Sequence, residues 1–277
     1  MSWWAIDVQA SPGRREALAA WLVARTGQAV QEREDGTLVS VAPDAGTAEA
    51  LLGSLLAEQG SDVQASRREL DTIDWSTRWR EGLAPRSFGP LTVVPSWVAY
   101  LAKPGESVIV LDPETAFGSG EHGSTRAALR LLTELVEAGD SVVDLGSGSG
   151  ILTIAAARLG AARAVGIELD GEANLVAERN AERNRVRQQV SFVEGDARSL
   201  LPLLGPIDLV VANILRTVNL ELLPAIRNAL RPGGKAIFSG MEEDEAALFR
   251  EGLAASGLRE IRTAVDAGWW AVAVERP

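Results

Sequence analysis

The chain's 277 residues are 46% hydrophobic and 23% charged, which leaves room for one large domain and one small one. With no cysteine and one histidine, His122, the sequence excludes disulfides and thiolate catalysis, argues against a histidine-based metal site or a Ser-His-Asp triad, and gives no reason to expect a metal. The net charge of −11 argues against direct DNA binding, and no apolar run or leader-like N-terminus is present, so a cytoplasmic protein without a membrane partner is expected.

Residues 1–70 read as a small separate domain. Residues 3–10 alternate like a strand, and residues 12–25 carry Leu18, Trp21 and Leu22 at helical spacing. Residues 28–34 and 37–42 read as a hairpin around Asp35-Gly36, a strong turn pair. A second helix is expected over 47–59 and a fourth strand over 62–70. The order strand-helix-strand-strand-helix-strand is the ferredoxin-like arrangement. It shows no catalytic constellation, which suits a domain that grips a partner.

Residues 71–85 read as a helical linker with Trp75 and Trp79 on one face. The larger domain is expected over 86–277. Residues 86–97 and 107–111 look extended and are expected to form an added hairpin joined through Pro104-Gly105. Residues 112–125 are rich in glycine and small polar side chains and lead into a helix near Thr125. Ser124 or Thr125 is placed to cap that helix, whose first amides favour a carboxylate. Phe117 can cover a sulfonium or an adenosine with its ring face. His122 reads as a loop residue rather than as a base.

Residues 141–150, Ser-Val-Val-Asp-Leu-Gly-Ser-Gly-Ser-Gly, organise the large domain. Val142, Val143 and Leu145 make a short buried strand, Gly146, Gly148 and Gly150 a tight loop, and residues 151–159 a helix. This is the first strand–loop–helix of a doubly wound sheet, where ligands sit at the carboxyl ends of strands. A dinucleotide fingerprint wants glycine at the sixth position, which here is Ile151. Gly-x-Gly-x-Gly after Asp144 is instead the pattern of S-adenosylmethionine-dependent methyltransferases. Glu168 ends the second strand, where a carboxylate can accept hydrogen bonds from both ribose hydroxyls of an adenosine.

Residues 170–185 read as a helix in which Ala-Glu-Arg-Asn occurs twice in succession, taken as a solvated face. A third strand over 190–193 leads to Asp196, placed to accept a hydrogen bond from an adenine amino group. Residues 207–212 are apolar apart from Asp208 and so form a strand buried on both faces. Asn213 follows, and its side-chain carbonyl can accept a hydrogen bond from an amine or contact the cofactor's amino group. Ile214 and Leu215 stand where many amino-methylating enzymes carry Pro-Pro-Tyr, which leaves an aliphatic amine open as acceptor. A helix over 217–230, a strand over 235–239, a helix over 241–256 and a hairpin of 258–265 with 269–275 complete a seven-stranded methyltransferase sheet.

Seven stretches resemble the PrmA family, the bacterial methyltransferases of large-subunit ribosomal protein eleven. The loop 116–125, Ala-Phe-Gly-Ser-Gly-Glu-His-Gly-Ser-Thr, is similar to the family's Ala-Phe-Gly-Thr-Gly-x-His-x-Thr-Thr signature. Asp144-Leu-Gly-Ser-Gly-Ser-Gly-Ile-Leu and Asn213-Ile-Leu match it, as do Asp74-Trp75, Trp79-Arg80, Phe88-Gly89 and Pro95-Ser96-Trp97. The likeness covers residues 70–277 in sequence and the first domain in layout. Ser119, Ser124 and Glu168 depart mildly, replacing two threonines and an aspartate.

The resemblance implies S-adenosylmethionine as cofactor, with contacts at Thr125, Gly146, Glu168 and Asn213. It implies trimethylation of lysine side chains and the N-terminal amine of that ribosomal protein. It also implies that the small domain grips the substrate and that the connector allows reorientation. A monomer is expected. The alternative is a methyltransferase of the same fold acting on another protein lysine or a small molecule. A nicotinamide oxidoreductase fits poorly, because Ile151 breaks the fingerprint and Tyr100, the only tyrosine, begins no Tyr-x-x-x-Lys. No residue stands out as a general base. Holding a lysine amine neutral near pH 7 costs about 4–5 kcal/mol, part of which desolvation beside a sulfonium offsets.

Overall fold

The computed structural model describes residues 3–26, 30–33, 35–59, 63–69, 83–114 and 116–277. The paired Trp75 and Trp79 and most of the expected linker lie outside the described residues. The chain divides into two compact units, residues 1–78 and 79–277.

In the first unit, strands β1 (Trp4–Gln9), β2 (Gln31–Glu32), β3 (Leu38–Ala42) and β4 (Gln64–Glu69) form one antiparallel sheet in the order β2-β3-β1-β4. Helices α1 (Pro12–Thr26) and α2 (Ala45–Gln59) supply Leu18, Leu22, Leu51 and Leu55 to a core shared with Ile6 and Val8. This is the expected ferredoxin-like layout. The turn forms at Asp35, whose Oδ1 accepts from Thr37 N at 2.9 Å. Asp44 likewise accepts from Thr47 N at 2.8 Å and starts α2 two residues before the expected position.

The second unit begins with strands β5 (Arg86–Phe88), β6 (Leu91–Val94) and β7 (Ser107–Val110). They do not form the expected hairpin about Pro104-Gly105. The tight turn lies between β5 and β6, at Gly89-Pro90, and β6 pairs with β7 in parallel. A parallel pair needs a crossover of a dozen or so residues, and the stretch 95–106 is long enough to provide one.

The main sheet contains strands β8 (Ser141–Leu145), β9 (Arg163–Glu168), β10 (Val190–Glu194), β11 (Ile207–Asn213), β12 (Leu230–Glu242), β13 (Arg259–Asp266) and β14 (Trp269–Glu275). Their order is β10-β9-β8-β11-β12-β14-β13. The first five run parallel, and β14 is antiparallel to both of its neighbours. Helices α3 (Gly123–Leu135), α4 (Ile151–Arg158), α5 (Gly171–Arg183), α6 (Ala197–Leu200), α7 (Arg216–Ala229) and α8 (Ala246–Ser256) complete the unit.

Successive strand residues point to opposite faces of a sheet. Val142, Leu209 and Val211 therefore join the core on one side, while Val143, Leu145, Val210 and Ala212 join the other. Both faces are covered, which is why β8 and β11 read as apolar runs. The last helix starts later than expected. Met241 and Glu242 are the end of β12, and Glu243–Glu245 make a 3-10 turn before α8.

The repeated Ala-Glu-Arg-Asn along α5 is a solvated face only in its Glu and Arg residues, which are exposed; its Ala and Asn residues face inward. A period of four residues keeps like residues on one side of a helix. Ala177, Ala181, Asn180 and Asn184 are buried. Asn180 Nδ2 donates to the carbonyls of Asp112 and Ser149, each at 3.0 Å, and its Oδ1 accepts from Asp112 N at 3.1 Å. Asn184 does the same for both backbone groups of Val110. The repeat thus pins the glycine loop and the strand ahead of residues 112–122.

Candidate active site

The carboxyl ends of the parallel strands surround a cavity of about 510 Å³, within the usual range for a small-molecule site. Phe117, Gly146, Gly148, Glu168, Asp196 and Asn213 all line it, so six of the seven singled-out residues meet in one place. The seventh, Thr125, is fully buried behind the wall. Its Oγ1 accepts from Asn213 Nδ2 at 3.2 Å. Neither Ser124 nor Thr125 caps α3, contrary to expectation. His122 is the N-cap without a capping side-chain bond, and both hydroxyl residues are buried in the first helical turn.

Strand order sorts the cavity into two sides. Asp196 and Glu168 follow β10 and β9, on one side of the Gly146 loop. Asn213, Gly240 and Trp269 belong to β11, β12 and β14, on the other. Neighbouring strands are about 4.8 Å apart, so Glu168 and Asn213 lie roughly two strand spacings from each other. Trp269 begins an antiparallel strand, which brings it to the same end of the sheet as the parallel strands' carboxyl termini.

Glu168 is held by backbone amides. Its Oε2 accepts from Gly148 N at 2.9 Å, and its Oε1 accepts from Leu169 N at 2.8 Å and Asp170 N at 3.2 Å. A carboxylate offers about four acceptor positions, so one is left for a ligand in this arrangement. Asp196 caps α6, its Oδ1 accepting from Arg198 N at 2.9 Å, and still faces the cavity. Gly146 adopts φ +73°. A Cβ there would lie 2.5 Å from Ile214 Cγ2.

Asn213 is the most telling group. It is buried, its amide nitrogen is engaged by Thr125, and its Oδ1 has no hydrogen-bond partner. A buried acceptor left unmade costs about 1–3 kcal/mol, and Asn213 carries this one at a strand end that lines the cavity. Asp144 lies deeper. Its Oδ2 accepts from Thr153 N at 3.1 Å and Thr153 Oγ1 at 2.7 Å, tying β8 to α4. Burial pushes its carboxyl up to about 7 against those hydrogen bonds, which lower it.

The loop 112–122 is laced to the glycine loop by Ser149, whose N donates to Phe117 O at 2.8 Å and whose Oγ donates to Gly118 O at 2.6 Å. That leaves the Phe117 ring exposed at the cavity wall. His122, read from sequence as a loop residue, also lines the cavity. Its ring lies 4.3 Å from Trp269 and 5.4 Å from Phe117, centre to centre, and Nδ1 is 2.8 Å from Ser124 Oγ. Burial, and then the nearby Arg126 charge, hold the imidazole below its usual pKa and hence neutral at neutral pH. Trp269 escaped the sequence reading. Its signal was topological: the closing hairpin must bring its second strand back to this end of the sheet.

Comparison with known proteins agrees with this geometry. The family model described as ribosomal protein L11 methyltransferase (PrmA) matches residues 6–277. The ribosomal protein L11 methyltransferase of Thermus thermophilus is 40% identical over 75% of this chain and 80% of its own length. That of Pelotomaculum thermopropionicum is 43% identical over 81% and 72%. The crystal structure of a ribosomal protein L11 methylase from Lactobacillus delbrueckii subsp. bulgaricus aligns with TM-score 0.62 and 29% identity, over 70% of this chain and 99% of that one. A methyltransferase pattern in the glycine loop, a seven-stranded sheet with one antiparallel insertion and a family match along nearly the whole sequence converge: the chain belongs to the ribosomal protein L11 methyltransferase family.

Proposed function

We propose that this chain transfers methyl groups from S-adenosylmethionine to lysine side chains and the N-terminal amine of ribosomal protein L11. The observation that carries this reading is a cavity at the strand ends lined on one side by Asn213, whose Oδ1 has no partner, and on the other by Glu168. A carbonyl acceptor suits an amine or ammonium N–H, and a carboxylate with one open acceptor position suits a ribose hydroxyl. These residues fit the cofactor. Glu168 would hold the ribose, Asp196 the adenine amino group, the loop at Gly146 and Gly148 the methionine portion, and Phe117 would cover the sulfonium. Thr125 acts through Asn213, whose orientation it fixes. S-adenosylmethionine, when bound, supplies an electrophilic methyl group. The protein's part is then mainly alignment, because an in-line displacement needs nitrogen, methyl and sulfur in a row.

Residues 1–70 are the substrate-recognition domain in this reading, 71–85 the linker that reorients it, and 86–277 the catalytic domain. The protein is taken to work as a cytoplasmic monomer that contacts neither DNA nor membrane. No helix among the described residues is long and apolar enough to cross a membrane. Deleting residues 1–70 tests the division of labour. The truncated chain is expected to bind S-adenosylhomocysteine in calorimetry as the full chain does, and to lose methylation of ribosomal protein L11. Normal methylation by the truncated chain contradicts the recognition role.

A further inference from the structure

Three segments that face the cavity are joined behind it by one helix. The loop 112–122 brings Phe117, the glycine loop brings Gly146 and Gly148, and the end of β9 brings Glu168. The first two touch directly. Ser149 N donates to Phe117 O at 2.8 Å, and a Cβ on Gly148 would lie 2.5 Å from that same oxygen. Helix α5 starts just after Glu168, and the backbone N–H of its N-cap, Asp170, donates to Glu168 Oε1 at 3.2 Å. Farther along this helix the fully buried Asn180 reaches the other two segments.

The amide of Asn180 is saturated. Nδ2 donates to Asp112 O and to Ser149 O, each at 3.0 Å. Oδ1 accepts from Asp112 N at 3.1 Å and from Arg183 Nη1 at 2.8 Å. An asparagine side chain offers two donors and two acceptor positions, so these bonds use all of them and fix the orientation of the amide. Asp112 is held in turn: its Oδ1 accepts from Ser96 N at 3.0 Å and its Oδ2 pairs with Arg183 at 3.0 Å. Asn184, the C-cap of the same helix, bonds Val110 in β7 and has no bond to the glycine loop among the described residues.

We propose that Asn180 is a positioning residue for the cofactor, holding the Phe117 loop against the glycine loop in the register that seats S-adenosylmethionine. The inference rests on the proposed placement of the cofactor in this cavity. Asn180 touches no ligand and acts through the backbone of Asp112 and Ser149. Ordering an irregular loop costs backbone entropy. A buried and fully bonded amide puts that cost into folding, so that binding meets a loop already in place and gains affinity by preorganisation. Without the amide, two carbonyls and one N–H lose their partner together, and the two loops are free to shift against each other.

The test compares Asn180→Ala with Asn184→Ala in the full chain. Both remove a buried, hydrogen-bonded amide from one helix, and both are expected to lower the thermal midpoint. Cofactor affinity separates them. In calorimetry, S-adenosylhomocysteine should bind about 10- to 100-fold more weakly to Asn180→Ala, the range that a misplacement of about 1 Å produces, and as tightly to Asn184→Ala as to the parent chain. Hydrogen exchange of the amides in 116–122 should quicken in Asn180→Ala and not in Asn184→Ala. A third variant, Asn180→Asp, keeps the shape but sets an acceptor against the carbonyls of Asp112 and Ser149. It should lose at least as much affinity as Asn180→Ala.

Parent-like affinity in Asn180→Asp overturns the inference, whether or not Asn180→Ala folds. So does an equal loss of affinity in the two alanine variants, which would mark a general loosening of the helix. If the parent chain itself binds no S-adenosylhomocysteine, the cofactor placement falls and this inference falls with it.

Discussion

Gly146→Arg is expected to abolish S-adenosylmethionine binding while the protein stays folded. Residue 146 holds φ +73°, a region that costs an ordinary residue roughly 1–2 kcal/mol. That strain is small against the stability of a domain. The larger effect is steric. The first side-chain atom already meets Ile214 Cγ2 at 2.5 Å, and the remaining atoms must run into the cavity that Gly146 lines. Calorimetry with S-adenosylhomocysteine should show a loss of at least about 100-fold, corresponding to about 2.7 kcal/mol. An unchanged circular dichroism spectrum should accompany it. Unchanged affinity would mean that the cofactor does not lie over this loop.

Asn213→Ala is expected to lower the rate of methyl transfer by about 100- to 1000-fold, the loss typical when one preorganised polar group is removed from an active site. Asn213 Oδ1 is a buried acceptor without a partner, and Thr125 holds the amide in that orientation through Nδ2. Thr125→Val should produce part of the same loss, because it frees the amide to turn without removing it. The effect should fall mainly on kcat, since the acceptor is asked to align an amine rather than to bind the bulk of a protein. A change in KM alone would move Asn213 from amine alignment to general binding.

The glycine loop, Glu168 and Asn213 were legible in the sequence because each sits at a strand end, where spacing along the chain sets position in the site. The first domain was legible for a similar reason: local periodicity and the Asp35-Gly36 turn determine its element order. Features that depend on distant pairing were not. The parallel union of β6 with β7 reversed an expected hairpin, since extended segments carry no label for the direction of their partner. Asn180 and Asn184 looked solvated because their charged neighbours dominate the helix, while the loop and strand groups they hold lie 31 to 74 residues away in sequence. Trp269 enters the site only because β14 lies antiparallel beside β12. His122 is the loop residue that the sequence suggests, but its place in the cavity wall was not legible, because the Trp269 ring that packs on it is far along the chain.

The most direct measurement is the intact mass of purified ribosomal protein L11 after incubation with this protein and S-adenosylmethionine. The mass should rise in steps of one methylene, and peptide mapping should place the added groups on lysine side chains and the N-terminal amine. An unchanged mass, with S-adenosylhomocysteine still bound by the protein, would contradict the substrate assignment and leave a methyltransferase that acts elsewhere.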